Sequence, residues 1–451
     1  MVGVVMQEPE EIPEEEHERI VARVAAIDVA KASGKVCTRT PHPQDGVRRV
    51  TKVWEVTATL AAVEELGDHL MDEQIQVVTL ESTGDYWRIW FYVLEERGLR
   101  VQLVNARDVK HAPGRPKTDR LDAVWLAKLT GKGLVRPSFV PPQEIRVLRD
   151  YSRMRIDLIH ERTRYWQRLE KLLEDALIKI SSVSSTLNTL STRAMLQAMI
   201  AGERDPRVLA ELAKGRLRVK IPALVEALNG RFDDHHGELA GLLLAQIDGL
   251  DAQIARLAAR IETLFAQLPD VRPAEAGPDA HPAEATSSAM DTVARLDEIP
   301  GISPEVAQII IAEIGLDMTR FPTAEHLASW AKLSPQTVQS GTRSRGAAVG
   351  KGNPYLKGVL GTAAVVAGRT DTFLGERYRR IAKRRGRLRA VVAVGRSIMV
   401  IIWHLLSDPN ARYRDLGADY FLTKIDRERK ARTHIRQLQA LGFAVALAPA
   451  T

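Results

Sequence analysis

Four carboxylates lie at the ends or starts of predicted secondary-structure elements. Asp28 follows the apolar stretch "VARVAAI", and Glu81 follows a second apolar stretch, "QIQVVTL". Asp119 and Asp122 lie three residues apart in "GRPKTDRLDA", at the predicted start of a helix, so their carboxylates share one face. Like charges at this spacing repel by roughly a few tenths of a kcal/mol unless something positive lies between them. Neighbouring basic side chains or a metal ion would supply that charge.

The elements that would position these carboxylates form an α/β domain over residues 23–140. Hydrophobic patterns predict the order β-β-β-α-β-α-β-α, in which three strands form a meander and later strands alternate with helices. If the first and fourth strands are neighbours, Asp28 and Glu81 lie side by side at one edge of the sheet. A helix that starts across this edge would bring Asp119 and Asp122 to them.

Such a set of carboxylates has a chemical interpretation. Hard divalent cations prefer oxygen ligands, and two ions a few Å apart can clamp both oxygens of a phosphodiester displacement. Taken singly, an acidic residue at a strand end is more often solvated than functional. The four together, at these points of this strand order, indicate a metal site.

Composition narrows the class of protein. The chain has 451 residues, enough for two or three domains, and a net charge of +7, which weakly favours a polyanionic partner. Cys37 is the only cysteine, which excludes an intrachain disulfide and a cysteine-based zinc site. The most apolar stretch, "AVVAVGRSIMVIIWHLL", is interrupted by Arg396 and His404. It therefore favours a buried helix over a membrane span.

The region after residue 140 is predicted to be mostly helical. A series of apolar residues from Leu243 to Leu264, at alternating spacings of four and three, predicts a coiled-coil helix that could pair within the chain or between subunits. "LDEIPGISPEVAQIIIAEIG" resembles a helix-hairpin-helix, with Ser303 as the cap and Pro304 as the first residue of its second helix. The tail from Tyr420 predicts a helix followed by a short apolar strand. We expect the following segments: acidic tail, 1–22; α/β domain, 23–140; helical coiled-coil region, 141–268; linker, 269–289; mostly α C-terminal domain, 290–410; C-terminal extension, 411–451.

Positive charge is concentrated in the C-terminal part. Between Arg343 and Arg396 there are 14 lysines and arginines, opposed only by Asp371 and Glu376. This local excess indicates a nucleic-acid surface far better than the net charge does.

At this point the sequence resembles a known family. "AAIDVAK", "VTLESTGDYW" and "GRPKTDRLDA" are similar to the three acidic motifs of the DEDD-type insertion-sequence transposases. "IPGISPEVAQIIIAEIG", "FPTAEHLASWAKLSP", "QSGTRSRG" and "KGNPYLKGVL" are similar to the second block of the same family. The resemblance covers roughly residues 23–135 and 295–405. It implies a RuvC-like domain with a ribonuclease-H fold, followed by a transposase domain.

The resemblance also implies roles for individual residues. Mg²⁺ or Mn²⁺ would be held by Asp28, Glu81, Asp119 and Asp122. A catalytic serine of the C-terminal domain would match Ser340 in "QTVQSGTRSRG", where chemistry alone shows only a serine in a basic, glycine-containing loop. Ser334 and Ser344 are competing assignments. Ser334 precedes a proline and has a structural character, and Ser344 is the stronger rival because two arginines flank it.

Several basic and polar residues are expected to contact nucleic acid. Arg343 and Arg345 could stabilise a pentacovalent phosphate. Lys117 and Arg120 would contact phosphate or simply offset the repulsion of the aspartate pair, and we weigh the two interpretations equally. Lys351, Asn353 and Lys357 would contact phosphate, although an ordinary basic helix start explains them too.

The function that follows from the resemblance is site-specific recombination. The family implies a prokaryotic, cytoplasmic transposase that cuts and rejoins donor and target DNA through a phosphoserine link. It also implies a structured bridge RNA as guide, and a homo-oligomer, dimer or tetramer. One rival is a RuvC-like metal-dependent nuclease that acts on branched DNA without a covalent intermediate. The other is a non-catalytic nucleic-acid-binding protein.

Overall fold

The computed structural model describes residues 21–82, 84–105, 119–269, 288–335, 337–340, 343–346, 349–423 and 427–446. Nearly all of the acidic tail, Lys117 and most of the predicted linker lie outside these ranges. For Asp119, Arg120 and the described parts of 337–346, the backbone alone is described. The chain forms two compact units, residues 1–140 and 141–451.

The first unit is built on a mixed six-stranded sheet. Its strand order is β3-β2-β1-β4-β5-β6. β1, β2 and β3 form an antiparallel meander, β1, β4 and β5 run parallel, and β6 is antiparallel to β5. The first and fourth strands are neighbours, as the prediction of the carboxylate site required. The strands are β1 Val24–Val29, β2 Ser33–His42, β3 Asp45–Thr57, β4 Val77–Ser82, β5 Val101–Asn105 and β6 Pro137–Ser138.

Helices cover both faces of this sheet. On one face, α1 (Leu60–Asp72) and α2 (Arg88–Glu96) enclose a core to which β1 contributes Ala25 and Ile27. On the other face, α3 (Asp119–Gly131) packs on a core to which β1 contributes Val24 and Ala26. The alternation along β1 follows the two-residue period of a strand. Because both faces are covered, all four of these residues are buried.

The second unit starts with two long helices. α4 (Gln143–Asp175) and α9 (Asp234–Gln267) pack against each other in antiparallel fashion, since Arg162 pairs with Asp251 and Arg260 lies over Tyr151. The apolar series on α9 is therefore used, at least in part, for pairing within the chain. Between them lie α5 Ile180–Val183, α6 Leu190–Ile200, α7 Pro206–Glu211 and α8 Ile221–Leu228, which share a core with the adjoining ends of the long helices.

The remaining described helices form the C-terminal part of this unit. They are α10 Ala289–Asp297, α11 Pro304–Ile314, α12 Ala324–Trp330, α13 Pro354–Ala367, α14 Phe373–Arg385, α15 Arg387–Ser407, α16 Tyr420–Thr423 and α17 Arg427–Ala440. Two short strands, β7 Thr337–Ser340 and β8 Arg343–Gly346, form an antiparallel hairpin. A mixed α/β unit followed by a mostly helical region is the fold class that the sequence predicts.

Three local predictions have clear outcomes. Ser303 caps α11 by accepting from the Val306 N–H, with Pro304 as the first residue of the helix, as predicted. Among the described helices, one is long and apolar enough to cross a membrane, and this is α15. Its residues Ile398 and Ile402 are fully buried within the unit, which matches the predicted core helix. The apolar strand predicted at the end of the chain is wrong for residues 441–446, where the chain forms a turn and irregular structure.

Candidate functional site

Asp28 and Glu81 are direct neighbours in the parallel ladder between β1 and β4. Adjacent strands lie about 4.8 Å apart, so the two residues occupy neighbouring positions near the carboxyl ends of both strands. Glu81 is 5% exposed and Asp28 is half-buried. Two carboxylates held this close with so little water require positive charge nearby when both are ionised.

The helix that carries the aspartate pair lies on the same face of the sheet. Near its end, the Thr130 hydroxyl donates to Thr79 Oγ1 at 2.8 Å, and Thr79 shares its face of β4 with Glu81. The Val21 N–H donates to the Gly131 carbonyl at 3.0 Å, which places the end of α3 beside the beginning of β1. The start of α3 therefore lies towards the opposite end of β1, where Asp28 is found. Asp122 lies in the first turn and is half-buried.

The structure places Asp28 and Glu81 side by side at one end of the sheet and Asp122 in the first turn of α3. Asp119 is the first residue of α3. Among the described side chains, the group of three or more metal-ligating residues with atoms within 4.8 Å of one another is Asp175, His235 and His236. Asp28, Glu81 and Asp122 therefore do not form a group whose ligand atoms all lie within 4.8 Å of one another. Oxygen donors at one sheet edge suit Mg²⁺ or Mn²⁺, which accept carboxylates together with water.

The group at Asp175 is better explained as a helix cap. The Asp233 N–H donates to His236 Nδ1 at 3.2 Å, so the proton of a neutral ring is on Nε2. That nitrogen faces Asp175 Oδ2 at 3.3 Å. Because both ring nitrogens are used, His236 has no lone pair for a metal while it caps α9.

The hairpin that carries Ser340 has a defined register. Ser340 is the last residue of β7 and pairs with Arg343, and Val338 pairs with Arg345. Ser344 pairs with Gln339. Directly opposed positions belong to one face of a two-stranded ribbon, and faces alternate along each strand. Positions 340, 343 and 345 therefore share a face that position 344 does not.

The predicted phosphate contacts at the start of α13 differ in their surroundings. Lys351 is exposed. Lys357 donates to the Gly350 carbonyl at 3.0 Å. Asn353 caps α13, accepting from the N–H groups of Tyr355 and Leu356, and its amide donates to Glu313. These bonds use both ends of the Asn353 side chain, which favours a structural role for it.

Sequence reasoning missed the ionic network to which Asn353 belongs. The side chain of Glu313 is 1% exposed. Arg153 donates to its two oxygens from Nε and Nη2, both at 2.8 Å, and these hydrogen bonds raise the pKa of Arg153. Arg149 donates to the Glu313 carbonyl at 2.7 Å. The network fixes α11 against α4 and the start of α13. A lone glutamate in the apolar stretch "IIIAEIG" was the available signal.

The basic part of the chain lies mainly on α14 and the start of α15. Lys383, Arg384, Arg385, Arg387 and Arg389 are all exposed. Closely spaced cations at the surface are the electrostatic basis of binding to nucleic-acid phosphates.

A carboxylate pair on the central strands of this mixed sheet, together with a basic helical second unit, fits the class that the sequence motifs predict, the DEDD-type transposases. Comparison with known proteins names the family. A model of DEDD-type IS110 transposases matches residues 25–178, and one of the IS116/IS110/IS902 transposases matches residues 293–379. The two models together match more than half of the chain, which therefore belongs to the IS110 family of transposases.

A curated relative supports this assignment. The chain is 31% identical over 115 residues to an uncharacterised 43.6 kDa protein of insertion element IS110 from Streptomyces coelicolor. The match covers 25% of this chain and 28% of the relative.

Proposed function

We propose that this protein is the transposase of an insertion sequence and recombines DNA at specific sites. The observation that carries the proposal is the pairing of Asp28 with Glu81 at one sheet edge, in a chain whose two halves both match IS110-family transposases. Its substrates would be the donor and target DNA, and it would act on the prokaryotic nucleoid in the cytoplasm.

The end of the sheet that carries Asp28 and Glu81, called the acidic edge below, would be the metal site of this reaction. Asp28, Glu81, Asp119 and Asp122 would hold Mg²⁺ or Mn²⁺, and their carboxylates suit these hard cations. When bound, the ions would supply Lewis-acid stabilisation of a phosphodiester. Lys117 and Arg120 adjoin the aspartates in sequence and would contact the DNA backbone or balance the acidic charge.

Ser340 would be the nucleophile. Its Oγ would form a bond to phosphorus while the bond from phosphorus to one deoxyribose oxygen breaks, and the hydroxyl proton would pass to a base. Attack of a new deoxyribose hydroxyl on the phosphoserine would reverse the step and rejoin the strands. The register of the hairpin supports Ser340 over Ser344, because positions 343 and 345 are on the face of position 340. Their guanidinium groups would stabilise the charge of the pentacovalent phosphate.

The proposal includes a structured guide RNA and a homo-oligomer. The exposed cations Lys383, Arg384, Arg385, Arg387 and Arg389 support binding to either nucleic acid. On α9, Ile247 and Ile261 are buried by the chain's own helices, whereas Leu250, Ile254 and Leu257 are only half-buried. This half-buried stretch leaves apolar surface that a second subunit would cover.

A strand-exchange assay on donor and target DNA tests the proposal. The full chain, purified with any RNA that accompanies it, should exchange strands in Mg²⁺. Asp28→Asn should lower the rate by at least about a hundredfold, since mutations that remove a transition-state stabiliser cost on this order. Glu55→Gln is the matched control, because Glu55 is an exposed carboxylate on β3 that accepts from Lys35 at 2.6 Å. Equal activity of Asp28→Asn and the parent would refute the proposal.

A further inference from the structure

We propose that the C-terminal extension completes a groove that binds backbone phosphates of the nucleic acid. The groove lies between α14 and α16 and has a volume of about 280 Å³. Arginine is its main lining residue, and among the described residues no carboxylate lines it. Its lining consists of Arg377, Arg380, Ile381, Arg384, Arg385 and Phe421. This inference rests on the proposed function, to which it adds a binding site.

The far wall of the groove is built by the extension. Phe421 stacks on Phe373 with ring centroids 5.2 Å apart and an angle of 16° between the rings. Asp415 holds the chain in place, accepting from the Phe373 N–H at 3.1 Å and from the Tyr413 hydroxyl at 2.9 Å. These contacts place α16 against the start of α14. They provide a role for a segment whose sequence suggested none.

Among the described residues, no acid forms a salt bridge with the guanidinium groups that line the groove. Arg380 lies over the Phe421 ring at 4.1 Å, a cation–π contact that orients the group and leaves its charge intact. The Nε atom of Arg377 is buried, and no group in the described part of the chain accepts a hydrogen bond from it. Burial and the charges of Arg396 and Arg380 lower the pKa of Arg377.

The nearby acids are directed elsewhere. Glu376 accepts from Arg379 at 3.2 Å, and Asp371 lies 3.6 Å from the same guanidinium. Arg379 does not line the groove. A cluster of like charges of which two, Arg377 and Arg380, are half-buried is stabilised by a bound anion, and arginine is the residue best suited to phosphate oxygens.

The dimensions of the groove favour a polymer over a single free anion. Arg377, Arg380 and Arg384 follow one face of α14 at spacings of three and four residues. They span about 10 Å of helix at 1.5 Å per residue. A row of this length is longer than one phosphate group and can therefore contact more than one phosphate of a nucleic-acid strand.

Binding measured as a function of salt concentration tests the inference. Fluorescence anisotropy of the full chain would be recorded with a labelled DNA duplex and, separately, with a structured RNA. Arg380→Gln should weaken binding roughly tenfold and should reduce the slope of log K against log salt by about 0.9 on the duplex. Phe421→Ala should weaken binding about twofold to fivefold, because the cation–π contact is lost. Whichever nucleic acid shows these losses is the source of the phosphate.

A second arginine of α14, Arg379, provides the control for this experiment. Arg379→Gln removes an equal charge from α14 but leaves the groove lining complete, so its slope should equal that of the parent. An unchanged slope for Arg380→Gln and Arg384→Gln on both nucleic acids would overturn the inference. The proposed function would then still stand if the Asp28→Asn variant had lost strand exchange. If Asp28→Asn loses strand exchange but keeps the parent's slope of log K against log salt, the acidic edge and the arginine groove are separate sites.

Discussion

Glu313 and Glu81 are both nearly inaccessible to solvent but differ in the charge of a neighbouring residue. Glu313 lies between Arg149 and Arg153, and its side-chain oxygens accept from Arg153 and from the Asn353 amide. Glu81 instead lies beside a second acid, Asp28, at the ends of two parallel strands. The first arrangement stabilises the fold. The second is an arrangement that a bound cation would stabilise, as the proposed metal site requires.

The acidic edge could be predicted from sequence, whereas the buried network could not. Asp28 and Glu81 each end an apolar stretch, and the order of the strands was enough to make them neighbours. Arg153 and Glu313 are 160 residues apart in the chain, and no local pattern relates them. The position of Asp122 in the first turn of α3 was also predictable, because it lies three residues after Asp119 at the expected start of a helix.

Cys37 gives a prediction for the dependence of stability on pH. Burial raises the pKa of its thiol to about 11, from an ordinary value of 9.0. Because the folded-state pKa is the higher one, the stabilisation is present in full below pH 9 and is lost as the pH rises to 11. The expected loss is about 2 to 3 kcal/mol, by linkage. Urea unfolding of the parent and of Cys37→Ala at pH 8 and pH 11 measures it.

The Cys37→Ala variant removes the titration and leaves other alkaline effects in place. The difference in unfolding free energy between the parent and this variant should therefore shrink over this pH range. A constant difference would show that the thiol ionises equally in the folded and unfolded chain.

At the scale of elements, the long helices were predictable and their partner was not. The apolar series on α9 predicts a coiled-coil helix but leaves open whether its partner comes from the same chain. The structure pairs α9 with α4 in antiparallel fashion, and the helices α5 to α8 between them share a core with the ends of both. That core depends on contacts between distant segments, which periodicity does not encode. The coiled-coil geometry and the helix-hairpin-helix remain predictions.

The buried network at Glu313 predicts a large effect on stability. Glu313→Gln should lower the free energy of unfolding by about 3 kcal/mol or more, because Arg153 and Arg149 would remain with uncompensated charge. Chemical denaturation followed by circular dichroism measures this change.

Asp251→Asn is the control, because its partner Arg162 lies on α4, as Arg149 and Arg153 do. It breaks the partly exposed Arg162–Asp251 pair of 2.5 Å and should cost at most about 1 kcal/mol. Equal effects of the two substitutions would show that burial of the Glu313 network contributes nothing.

At the scale of the whole molecule, the proposed chemistry uses both compact units. The acidic edge belongs to residues 1–140, and the Ser340 hairpin and the arginine groove belong to residues 141–451. Only the family resemblance predicted that both parts take part in one reaction, because the residues around Ser340 by themselves indicate no more than a serine in a turn. A nuclease of the RuvC type would need only the first unit. The function of Ser340 therefore decides whether the enzyme is a recombinase or such a nuclease.

The most direct test of this account is a search for the covalent link between protein and DNA. The full chain would be incubated with donor DNA and Mg²⁺, denatured, and examined by gel electrophoresis and mass spectrometry. We expect a DNA adduct on Ser340 in the parent and in Ser344→Ala, and none in Ser340→Ala or Asp28→Asn. Strand exchange by Ser340→Ala at the rate of the parent, with no adduct in either protein, would contradict the account.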